Sequence, residues 1–141
     1  MMDEKDFVTY EQAIALKKLG FDYKVTHYYE TNSNIYNFHP AFEQGWYTCY
    51  DINVDILSKN FNEFKGHCSA PTLAQVQKWL RKEKKYHIAP LCIEENIWYY
   101  SVDELIQNVV VALNESEFTS YEEALSAGIT ECIKILDKNG Y

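Results

Sequence analysis

A chain of 141 residues with 47% hydrophobic and 24% charged side chains has the size and composition of one globular domain, long enough to bury a core without disulfides or structural metal. Aromatics at 16% supply the bulky groups that disordered chains lack. A formal net charge of −8 disfavours non-specific nucleic-acid binding by the molecule as a whole, because such binding depends on neutralising phosphates.

The first helix is announced by Thr9-Tyr10-Glu11-Gln12, a capping box in which the hydroxyl accepts from the N3 amide and the Gln side chain reaches back. It is expected over 10–19 and ends at Gly20, with Phe21 placed to touch Leu16 in a Schellman motif. Strands rich in Tyr, Thr, Val and Ile are expected over 23–30, 35–39 and 45–54, with turns at Asn32-Ser33-Asn34 and His39-Pro40. The stretch 58–70 is the one candidate hinge between a β-rich N-terminal half and the rest of a single domain spanning 1–141.

Thr72-Leu73-Ala74-Gln75 is a second capping box and opens a helix over 73–84. Leu73, Val76 and Leu80 form its inner stripe, with Trp79 at one edge. A hairpin follows, 86–93 and 97–102 around Glu94-Glu95-Asn96, and Pro90 places its strand at a sheet edge for want of an amide donor. Residues 108–113 read either as a further strand or as a helix; the consecutive β-branched Val109, Val110 and Val111 favour the strand. Ser120-Tyr121-Glu122-Glu123 is a third capping box, opening a helix over 121–138. Along it Tyr121, Ala124, Leu125, Gly128, Ile129, Cys132, Ile135 and Leu136 follow the helical period. Residues 7–14 echo 118–125, which two uses of one helix-start grammar explain as well as a duplication does.

These elements give an α+β fold, mainly antiparallel sheet with two or three amphipathic helices packed on one face. The acidic N-terminus is unlike a secretory signal, and no apolar run is long enough to span a bilayer. Cys49, Cys68, Cys92 and Cys132 therefore read as reduced thiols in a cytoplasm.

Chemistry is scarce. The cysteines and His27, His39, His67 and His87 match no metal-ligand spacing, so neither metal nor cofactor is expected. The paired carboxylates at 94–95, 103–104 and 122–123 sit in turns and helix first turns, where negative charge complements the helix dipole. No glycine-rich phosphate loop exists. Cys68, in the candidate hinge and beside His67, is the one thiol expected to be exposed enough to react, and this pair is the only candidate for an enzyme. No catalytic residue is assigned.

Two binding features stand out. Charge is uneven: residues 1–70 sum to −4, 71–88 to +4 and 89–141 to −8. Within the basic island Lys78, Arg81, Lys82 and Lys85 share one helix face, with Lys84 and His87 close by, a face suited to an acidic protein patch or to phosphates. The N-terminal half also carries Tyr28, Tyr29, Tyr36, Phe38, Phe42, Trp46, Tyr47 and Tyr50, residue types shared by sheets and interfaces.

The segments Phe7 to Asp22, Ser69 to Arg81 and Ser120 to Leu125 resemble, in the same order, three stretches of a family of small uncharacterised proteins encoded by phages, prophages and other mobile elements of Bacteroides-type gut bacteria. The resemblance implies a shared fold and a mobile-element origin, with no catalytic residue or ligand to carry over. The reading that follows is a non-enzymatic accessory protein that binds a host or phage protein. Nucleic-acid association through the 78–85 face is one alternative, and a small enzyme of unassigned reaction is the other.

Overall fold

The computed structural model describes residues 4–32, 35–40, 58–114 and 116–140, with backbone alone for 4, 31, 32 and 35–40; the strand expected over 45–54 lies outside them. The α+β class holds, with helices beside two three-stranded antiparallel sheets. The chain divides after Pro71 into two compact units. No helix among the described residues is long and apolar enough to cross a membrane.

The first unit covers Phe7–Pro71. Helix α1 (Tyr10–Lys18) starts as its sequence dictates: the Gln12 amide donates to Thr9 Oγ1 at 3.2 Å, and the Thr9 amide donates to Gln12 Oε1 at 2.9 Å. It stops at Gly20, whose φ of +90° suits a residue without Cβ. The Phe21 amide then donates to the Leu16 carbonyl and the Gly20 amide to that of Lys17, the two bonds of a Schellman motif. Strands β1 (His27–Asn32), β2 (Ile35–Pro40) and β3 (His67–Ser69) form a sheet in the order β2-β1-β3.

Side chains alternate across this sheet, and the two faces divide the work. Tyr29 is registered with Cys68 on one face, where the Tyr29 hydroxyl donates to the Val8 carbonyl at 2.7 Å and its ring meets Tyr10 edge-on. Tyr28 is registered with Ser69 on the other, where the Tyr28 ring stacks on Phe61 at 4.4 Å.

The stretch 58–70 holds β3, which pairs with β1, and the 3-10 turn Phe61–Glu63, and the boundary between the two units falls just beyond it, after Pro71. Asn62 accepts from the Ser69 amide and donates to the Phe21 carbonyl, while Ser69 Oγ accepts from the Phe61 amide. The segment is thus tied into the first unit by its own side chains. Only three residues of it are strand, too short a run for periodicity to signal.

The second unit comprises Thr72 onward and the N-terminal 3-10 turn Glu4–Asp6. Its α2 (Leu73–Trp79) carries a complete capping box between Thr72 and Gln75, and Gln77 Nε2 donates to the Ile88 carbonyl at 2.8 Å. Helical winding then loosens into a π-type turn over Leu80–Lys84. It closes at Lys85, whose left-handed φ of +63° sends its amide back to the Leu80 carbonyl. Trp79, expected at the edge of the stripe, is instead fully in the core beside Leu73, Val76 and Leu80.

Strands β4 (Tyr86–Glu94), β5 (Ile97–Glu104) and β6 (Val109–Leu113) follow in the order β4-β5-β6, so Pro90 does lie on an edge strand and residues 109–113 are strand. Asn96 takes positive φ in the first turn and Asn108 in the second, as Asn does most readily after Gly. The second turn is braced by Glu104, whose carboxylate accepts from the Ile106 and Gln107 amides at 2.9 and 2.8 Å.

Helix α3 (Tyr121–Lys138) has the bounds its period dictates. Its stripe of Ala124, Leu125, Gly128, Ile129, Cys132 and Leu136 is buried, and Gly128 lies against Ile88 and Tyr100 of the sheet. Tyr121 departs from the stripe: it is partly exposed, its ring edge-on to Trp98 at 5.6 Å. The third capping box is half formed. Ser120 Oγ accepts from the Glu123 amide, but the Glu123 carboxylate turns to the amide and hydroxyl of Thr119, which hold it below the usual carboxylate range.

Candidate interaction surfaces

The basic residues sit where α2 changes its winding. Lys78, Lys82 and Lys85 are exposed and Arg81 is half-buried, and among the described residues no carboxylate pairs with Lys78, Arg81 or Lys82. The π-type turn spreads these positions more widely than a regular helix would. Lys85 bends back, its Nζ donating to the Lys82 carbonyl at 2.8 Å, where a cation complements the negative end of the helix. Lys84 lies over the Trp79 ring, 5.4 Å from its centroid. A left-handed lysine is strained in a way glycine is not. Lys85→Gly is therefore expected to raise the urea unfolding midpoint by the equivalent of about 0.5–1 kcal/mol. A lowered midpoint would mean that the Nζ cap outweighs the strain.

Cys132 is in the core as its stripe dictates, but Cys68 is the reverse of the sequence expectation. Cys68 is buried, and burial pushes its thiol up although nearby Lys17 opposes this. His67 and Cys68 are neighbours on β3, so their side chains leave opposite faces and the pair cannot act as base and nucleophile. His67 instead lies 3.9 Å from the Glu30 carboxylate and edge-on to Tyr28. Cys132 is wholly buried, and desolvation with the neighbouring Glu131 charge pushes its thiol up to about 12. Cys92 is the exposed thiol among the described residues. Iodoacetamide at mildly alkaline pH will label Cys92 rapidly and leave Cys68 and Cys132 unlabelled until urea unfolds the chain, read by peptide mass spectrometry. Fast native labelling of Cys68 would contradict its burial.

His87 faces Asp103 directly across β4 and β5, with Ser101 buried on the same side of the sheet. His87 Nδ1 and Asp103 Oδ1 are buried without hydrogen-bond partners, so no relay joins the three residues. Groups of three or more metal-ligating side chains do not occur among the described residues. Of the aromatic set, Tyr28 and Tyr29 are core, and the side chains of Tyr36, Phe38, Phe42, Trp46, Tyr47 and Tyr50 lie outside the described residues.

The most pronounced surface is one that sequence reasoning missed. β6 and the turn before it expose Leu105, Ile106 (80%), Val109, Val110 (63%), Val111 and Leu113 (64%). β6 is the terminal strand of its sheet, so among the described residues one side of its backbone lacks a strand partner. The residues registered across from it are Glu104 and Asp103 near one end and Ser101 near the other. A signal was present: a strand apolar at every position needs cover on both faces.

No family model, curated protein or solved structure matches this chain.

Proposed function

We propose that this chain is a non-enzymatic protein-interaction module whose principal contact is the exposed edge strand β6. The observation that carries this is the run of five apolar residues at a sheet edge, open on its backbone and on its side chains. Soluble proteins ordinarily blunt such edges with charge, proline or a covering element, and an apolar edge left open reads as a contact surface. The burial of Cys68 and Cys132 and the opposite facing of His67 and Cys68 fit a role without catalysis. The resemblance of its helix starts to mobile-element proteins points to an accessory factor working in the cytoplasm on a host or phage protein.

A second reading rests on the unpaired cations Lys78, Arg81 and Lys82, which suit nucleic acid or an acidic partner. Capture from lysate by tagged wild type, Val110→Lys and a Lys78/Arg81/Lys82→Ala triple variant separates the two. A protein retained through high salt and lost only in Val110→Lys supports the β6 reading. Nucleic acid that elutes as salt rises, and is lost only in the triple variant, replaces it with the basic face.

A further inference from the structure

The edge of β6 offers two recognition elements together, and their combination selects the chemistry of what binds there. The first is geometric. An extended segment laid along β6 would satisfy its outward backbone groups as a fourth strand and set its own alternate side chains against Val110 and Leu113 on one face of the sheet. The second is electrostatic. From Tyr86 to Ile133 the chain contains no lysine or arginine, so all three strands and their turns are without either, His87 being their one imidazole. Carboxylates stand at both ends of the edge: Glu104 before the β5–β6 turn, and Glu117 with Glu94 where Trp98 bridges to Phe118. Glu117 accepts from the Tyr99 hydroxyl, and desolvation with the Glu117 and Glu94 charges holds that phenol above its ordinary range.

We propose that β6 takes up an extended apolar segment flanked by lysine or arginine, from a different protein, as a fourth strand of the β4–β5–β6 sheet. This rests on the reading of the chain as an interaction module and names the chemistry of its partner. A second copy of this chain is the obvious competitor, since exposed edges pair with themselves. Charge opposes it: a second copy brings the same carboxylates, Glu94, Glu104 and Glu117, on a sheet that carries no lysine or arginine to meet them. An acidic segment or a nucleic-acid backbone meets the same repulsion, whereas cations at the two ends of a guest strand meet carboxylates.

The test uses the full chain and two fluorescein-labelled peptides, Lys-Lys-Val-Thr-Val-Thr-Val-Lys-Lys and its counterpart with Glu at the four flanking positions, followed by anisotropy at low and high salt. The Lys-flanked peptide is expected to bind about fivefold tighter at low salt, three exposed charge contacts of a few tenths of a kcal/mol each amounting to about that ratio. The preference is expected to shrink as salt rises. Val110→Lys, which plants a cation on the edge, will abolish binding with its far-ultraviolet dichroism unchanged. The Glu94→Gln/Glu117→Gln double variant will keep binding but lose most of the preference. Equal binding of both peptides overturns the charge selection and leaves the edge as a contact. Failure of both peptides, while Val110→Lys still loses a captured protein, overturns strand addition and leaves the interaction module standing. Concentration-dependent dimerisation in light scattering that Val110→Lys removes assigns the edge to a second copy and overturns the proposal.

Discussion

Trp79→Ala will lower the stability of the fold by about 3–5 kcal/mol, the range for emptying a large buried aromatic site. Trp79 is only 2% exposed, at the point where α2 gives way to the π-type turn, with Val76 and Leu80 buried around it. Removing the indole opens a void that these neighbours cannot fill without moving the turn. The loss is a large share of the 5–15 kcal/mol that separates folded from unfolded chains of this size. Urea denaturation followed by circular dichroism measures it. Lys84→Ala is the control, because it removes the cation over the ring and leaves the ring in place. That change is expected to amount to about 0.5–1 kcal/mol. A Trp79→Ala loss no larger than the Lys84→Ala loss would return the indole to the edge of the stripe, where the bare helical period places it.

That misplacement shows what kind of information the sequence holds. Local grammar was legible wherever it is chemically strict. Thr9 with Gln12, and Thr72 with Gln75, form both halves of their boxes, and Gly20 ends α1 as a residue able to take positive φ must. The bounds of α3 followed from a long unbroken period. Trp79 was misjudged because the period of one helix says which residues share a stripe, and not how far neighbouring elements cover the edge of that stripe. β3 was missed because it is three residues long and is specified by its pairing with β1 and by Asn62 and Ser69, contacts remote from its own pattern. Cys68 was read as exposed for the same reason: its burial comes from strand pairing, which a single segment does not reveal.

The interaction surface was harder to read than the fold. Val109, Val110 and Val111 identified a strand correctly, yet the choice between strand and helix said nothing about cover. Whether a strand is central or terminal depends on sheet order, a property of the whole unit. The basic island drew notice because charge can be counted along a chain. An apolar edge passes as core until its neighbours are known.

Gly128→Ala tests how closely the helix and sheet of that unit fit. A Cβ built at Gly128 would come within 2.5 Å of Ile88 Cγ2 and within 3.2 Å of the Tyr100 ring. Real carbon atoms do not approach so closely, so α3 must lift or Ile88 must move. Ile88 is completely buried and its backbone is fixed in β4, which leaves it little room. Against this stands the helix preference of alanine over glycine, about 1 kcal/mol in favour of the variant. Overpacking of a dense core costs about 1–3 kcal/mol and sometimes more, so a net loss of about 1–2 kcal/mol is expected. A double-mutant cycle isolates the cause. Ile88→Ala removes the Cγ2 atom in question and on its own will cost about 2–5 kcal/mol. In that background Gly128→Ala should lose its penalty, giving a favourable coupling of about 1–3 kcal/mol between the two positions. If the two effects simply add, the close approach is not what makes glycine necessary in α3. If they couple, the absent side chain at position 128 is what lets the helix rest on β4 and β5 and hold in place the sheet whose far edge is β6.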